Sequence, residues 1–133
     1  MFRILVLALV FSGIFAGLGA AQSSPPTLRY FCLFEKYSDP SGLDSAKNFT
    51  LEFLVETASK KAVLIGNNGF SDVVMVNGTS AVTFLEGLPT GVVQSTTISL
   101  NNQAVHSRHT AIGSDLVPSQ YYGSCKVVAG KKS

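Results

Sequence analysis

After residue 22 no window of the chain sustains apolar residues at spacings of three and four, while short runs of β-branched and aromatic residues recur between clusters of Gly, Asn, Asp, Ser and Pro. That pattern leaves little room for helices and predicts an antiparallel all-β domain. Strands are expected near 27–34, 47–56, 61–66, 70–76, 80–86, 92–100, 103–111 and 120–128. The second is the clearest. Phe49, Leu51, Phe53 and Val55 alternate with Thr50, Glu52, Leu54 and Glu56, which puts the first set on a buried face. The stretch Asp39 to Lys47, with Pro40, Gly42 and a cap at Ser41 or Asp44, is the one place where a helical turn is expected.

The punctuation between the strands sets the topology. Asn77-Gly78 matches the two-residue type I′ hairpin, which needs positive φ at both central residues. Asn67-Asn68-Gly69 and 86–91 are longer connections, and Asn101-Asn102 joins the sixth and seventh strands. Strands joined by short turns are neighbours in space, so the chain reads as a meander. About eight strands predict a closed or nearly closed up-and-down barrel, with a two-sheet sandwich as the alternative, because closure removes exposed edges.

The two cysteines, Cys32 and Cys125, lie in the first and last expected strands. Their separation excludes a CxxC redox motif or a zinc knuckle, and in an exported chain two such cysteines pair. Export is expected from the N-terminus. Arg3 supplies a positive start, 4–15 an apolar core, and Gly19 and Ala21 the small residues that signal peptidase needs, so cleavage is expected before Gln22. The apolar stretch is short for the ~20 residues that span a bilayer, and no stable membrane insertion is expected after cleavage. The domain organisation is then a signal peptide at 1–21, an extended linker at 22–26 containing Pro25-Pro26, one β-rich domain at 27–128 and a flexible tail at 129–133 with Lys131 and Lys132. The localisation that follows is secreted or periplasmic.

Ten Lys/Arg less Arg3 leave nine against eight Asp/Glu, a mature net charge near +1. Nucleic acid is therefore not an expected partner, since that binding needs clustered positive charge.

The densest polar run is His106-Ser107-Arg108-His109-Thr110, followed by Asp115. No nucleophile elbow surrounds Ser107, and His106 and His109 are an odd number apart, so on a strand they point to opposite faces and do not share a metal. The hairpin register says more. A two-residue turn at Asn101-Asn102 pairs Ile98 with Val105, Thr96 with Ser107 and Gln94 with His109. With the apolar pair facing the core, Gln94, Thr96, Ser107 and His109 form an interior polar patch, the candidate ligand-binding residues. His106 and Arg108 then face solvent. A three-residue loop that includes Gln103 would instead pair Ile98 with His106 and bury Arg108, at the cost of an unpaired buried charge.

Tyr121-Tyr122-Gly123, Phe31, Leu33 and Phe34 read as strand packing. Asn48-Phe49-Thr50 and Asn77-Gly78-Thr79 match the glycosylation sequon. The order of a secretion signal, Tyr30-Phe31-Cys32, a β meander and a final Ser124-Cys125 is similar to small periplasmic lysozyme inhibitors of the barrel type. That family's inhibitory segment has no counterpart here, so the resemblance implies architecture.

The leading functional expectation is an exported, non-enzymatic binding protein for a small ligand or an extracytoplasmic protein, possessing no cofactor, no metal site and no catalytic set. Acid-base pairs, ligand clusters and nucleotide loops are all missing from the sequence. The alternatives are a small hydrolase-like enzyme using the His106–His109 region and a structural or surface module.

Overall fold

The computed structural model describes residue 19, residues 26–66 and residues 69–130, with the side chains of 47 and 48 set aside. The expected signal peptide apart from Gly19, its cleavage point, all of the linker but Pro26, the Asn67-Asn68 turn residues, the Asn48 sequon side chain and residues 131–133 lie outside the described residues.

Eight strands follow one another as β1 (Thr27–Asp39), β2 (Gly42–Glu56), β3 (Lys61–Gly66), β4 (Gly69–Asn77), β5 (Ala81–Gly87), β6 (Val93–Ser99), β7 (Gln103–Ile112) and β8 (Asp115–Ala129). Each pairs antiparallel with its sequence neighbour, and β8 returns to β1, so the sheet is a closed barrel. An eight-stranded barrel has an interior just wide enough for side chains to fill. Phe53 and Phe84 stack there with centroids 4.2 Å apart, Tyr30 meets Phe84 edge-on, and Val55, Leu64 and Ile98 complete the packing.

The closing seam joins β1 to β8. Cys32 faces Cys125 across it, and the two form a disulfide buried in the interior. Past Val128 the seam continues to Gly130, whose N–H donates to the Thr27 carbonyl at 2.7 Å.

The strands differ in height. β3 to β6 have six to nine residues, whereas β7, β8, β1 and β2 have ten to fifteen. Four tall strands therefore rise as a wall above a low rim, at the end where the β1–β2, β3–β4, β5–β6 and β7–β8 turns gather. A bulge shapes this wall. Between Phe34 and Lys36 the register of β1 shifts against both neighbours, so Phe34 and Tyr37, an odd number apart, both point to the concave side.

The same bulge brings the β1 backbone over Gly123. A Cβ there would lie 1.9 Å from the Leu33 carbonyl oxygen and 2.7 Å from the Phe34 Cα. Both are backbone atoms of the seam and cannot rotate away. Gly123→Ala is expected to cost about 2–3 kcal/mol of stability, at the upper end of overpacking effects. A urea-unfolding midpoint equal to that of the wild type would contradict the close approach.

Three turns differ from the expectation. No helical turn forms at 39–47. The Asp39 carboxylate accepts from the Ser41 N–H at 2.8 Å and from its hydroxyl at 2.5 Å, Gly42 takes φ +133°, and Asp39 pairs directly with Gly42, so Pro40-Ser41 is a tight hairpin loop. At Asn77-Gly78 the type I′ turn is not made. Asn77 pairs with Val82, the Gly78 N–H donates to the Ala81 carbonyl at 2.9 Å, and none of 77–80 has positive φ, because the ladder absorbs Asn77 and shifts the turn onto Thr79-Ser80.

The third correction changes which side chains are inside. β6 and β7 are joined by the three residues 100–102, with Asn102 at φ +63° and its N–H donating to the Ser99 carbonyl at 2.9 Å. This is the loop of a turn followed by one left-handed residue, a position that asparagine tolerates. The rungs are Ile98 with Ala104, Thr97 with Val105, Thr96 with His106 and Ser95 with Ser107. Neither the two-residue turn nor the alternative that included Gln103 gives this register, since Leu100 belongs to the loop.

Candidate functional site

Moving the register by one residue turns β7 over. Ala104 and His106 are buried and Arg108 is half-buried on the same side, while His109 is exposed and Ser107 lies on the outer face. Gln94 and Thr96 stay on the inner side of β6, so the expected patch is divided: two members face inward, and Ser107 and His109 face outward. The reason for keeping Arg108 outside was the cost of an unpaired buried charge. The structure avoids full burial by placing Arg108 toward the open end, with its guanidinium 5.6 Å from the centroid of the Tyr121 ring. His106 and His109 point to opposite faces, as their odd spacing requires. Asp115 begins β8 at a hairpin tip, and no hydrogen bond among the described residues links it to Ser107 or His109.

His106 is the centre of what the fold assembles instead. It is 2% exposed, and its Nδ1 is 2.8 Å from the Thr96 hydroxyl on the facing rung. Three aromatic rings surround the imidazole: Phe49 at 5.5 Å, Phe34 at 6.0 Å and Tyr121 at 6.0 Å between centroids. Phe49 packs on Tyr121 at 4.5 Å, and Tyr121 stacks on Tyr37 at 5.8 Å. These contacts lead from the packed interior to the mouth. There a cavity of about 350 Å³ is lined by Tyr37, Asp44, Ser45, Ala46, Phe49 and Tyr121.

The electrostatics follow from that placement. Burial, with the neighbouring Arg108 charge in second place, pushes the His106 pKa down from 6.5 to about 4, so the ring is neutral at pH 7. Its Nε2, the ring nitrogen farther from the backbone, is buried and makes no hydrogen bond to the described residues, and neither does Arg108 Nε. Glu86 is opposite Gln94, one rung from the Ser95–Ser107 pair, yet no carboxylate forms an ion pair with Arg108 among the described residues. The ion pair that does form is on the outer wall. Arg29 Nε lies 3.2 Å from Glu52 Oε1, close enough for an ion pair but without hydrogen-bond geometry.

Among the described residues no three His, Cys, Asp or Glu side chains converge as metal ligands, and no helix is long and apolar enough to cross a membrane. The Phe34–Phe49–Tyr121 cluster has no local signature in the sequence, because its members come from three strands: Phe34 and Phe49 are rung partners, and Tyr121 reaches Phe49 from β8. No known protein family, curated protein or solved structure matches the chain.

Proposed function

We propose that the chain is an exported, non-enzymatic binding protein that takes a small ligand into the mouth between the tall wall and the low rim. The observation carrying this reading is the cavity lined by Tyr37, Phe49 and Tyr121, set above a buried histidine with an unsatisfied nitrogen. Its volume is near the lower end of the ~300–1,000 Å³ common for ligand pockets, and its mix of aromatic walls with a few polar groups is their usual composition. The disulfide fits an oxidising compartment outside the cytoplasm. Against catalysis, His106 and His109 face opposite ways, and the neutral His106 has a threonine rather than a carboxylate at Nδ1.

A second reading, contact with an extracytoplasmic protein, draws on the outer wall of β1 to β4, where Phe31, Leu33 and Phe70 are exposed beside a groove that includes Ile65. One experiment separates the two. Protein purified from its native host is denatured, and the released material is identified by mass spectrometry, beside an Ala46→Trp variant that fills the mouth. The binding reading predicts a small molecule with the wild type and none with the variant. A protein partner retained equally by both favours the outer wall, and neither compound nor partner contradicts both readings.

A further inference from the structure

We infer that the mouth selects a small aromatic carboxylate, whose oxygen accepts hydrogen bonds from His106 Nε2 and Arg108 Nε while its ring packs against Phe49 and Tyr121. The inference rests on the mouth being a ligand site and adds the chemical class of the ligand.

Residues 106 and 108 are two apart on β7, so both side chains leave the strand on the same, inward face. Each carries a buried nitrogen, Nε2 of His106 and Nε of Arg108, that makes no hydrogen bond among the described residues. Arginine Nε is always a donor. His106 Nε2 becomes one when the Thr96 hydroxyl donates to Nδ1, which their 2.8 Å separation accommodates. Two unsatisfied donors on one face call for an acceptor, since each buried polar group left unpaired is costly. The positive charge of Arg108 makes that acceptor an anion: no carboxylate among the described residues pairs with it, and Tyr121 supplies only a ring face. The acids at this end include Asp39, whose carboxylate is taken by Ser41, Asp115 at the β7–β8 tip, Glu86, which makes no ion pair with Arg108, and Asp44, whose carboxylate accepts from the Ser45 N–H at 2.7 Å and lies on the cavity wall away from β7. A ligand entering with its carboxylate toward Arg108 and its ring against the cavity-facing sides of Phe49 and Tyr121 keeps its charge clear of Asp44. The 350 Å³ cavity suits a single substituted ring better than a long chain.

The test uses the oxidised protein and two probes of nearly equal shape, phenylacetate and phenylacetamide, titrated while the His106 imidazole and the Phe49 and Tyr121 ring signals are followed by NMR. Phenylacetate is expected to shift all three and to bind at least about tenfold more tightly than the amide, the usual worth of a charge-assisted hydrogen bond. Arg108→Gln should abolish that preference while leaving amide binding in place. Ala46→Trp should weaken both probes. Equal binding of the two probes, unchanged by Arg108→Gln, would overturn the carboxylate assignment and leave the mouth as a site. No shift of any of the three residues with either probe would overturn the assignment and remove the support for the mouth as well.

Discussion

Removing the disulfide, as in a Cys32→Ala/Cys125→Ala double variant, is expected to lower stability by about 4–5 kcal/mol on the loop-entropy estimate for a bridge this long in sequence. The bond joins residues 93 apart and lies across the seam that closes the barrel. Without it the unfolded chain gains the freedom of the whole loop, and the β1–β8 pairing is held only by its ladder and packing. Small domains have about 5–15 kcal/mol in total, so the variant should unfold at a much lower urea concentration. The slope of the transition should also rise, because the unlinked unfolded chain exposes more surface. A loss below about 1 kcal/mol would show that the seam does not depend on its covalent closure.

The second large effect is a loss of stability in mild acid. The His106 pKa lies at about 4 in the folded protein and at 6.5 in the unfolded chain. Above pH 6.5 both states are neutral at this site, and it adds no pH dependence. As the pH falls from 6.5 toward 4, the unfolded chain takes up a proton that the native protein refuses. Stability therefore falls across that window, by roughly 3 kcal/mol in all, and the contribution levels off once the native ring also protonates. Urea midpoints measured across the window should decline for the wild type and stay nearly level for His106→Gln, which removes the titrating ring. Identical slopes in the two proteins would place the effect elsewhere.

Much of the barrel was legible because the determinants are local. The alternation of Phe49, Leu51, Phe53 and Val55 against polar neighbours required one buried face, and all four contribute to the core or pack against it. The cysteine pairing was legible from position alone. Strand ends were harder. Pro118 looks like a strand break, yet it lies inside β8 opposite His109, beyond the Ser38–Gln120 rung that ends the pairing with β1. There β8 is an edge, the place in a sheet that tolerates proline.

The site was half legible, and one residue made the difference. Leu100 looks like the end of a strand by its apolar side chain, but it is 79% exposed in the loop, and Asn102 takes the left-handed position. Counting Leu100 in the strand advances the register by one rung and exchanges Ser107 and His109 for His106 and Arg108. Gln94 and Thr96 were placed on the correct face because they share the side of Ile98 on β6, which is buried whichever turn follows. The contacts of Tyr121 with Phe49 and His106 span distant segments, and no local pattern in the sequence encodes them.

The candidate site depends most on His106 being neutral inside the barrel beneath the aromatic mouth. Long-range ¹H–¹⁵N spectra of the histidine rings, recorded from about pH 8 to about pH 3 with contacts to assigned aromatic protons, test this directly. The result predicted is a His106 ring that stays neutral until the pH approaches 4 and shows contacts to Phe49 and Tyr121. A His106 ring that titrates near 6.5 without those contacts, or contacts to Phe49 and Tyr121 from His109 instead, would contradict the register and the site built on it.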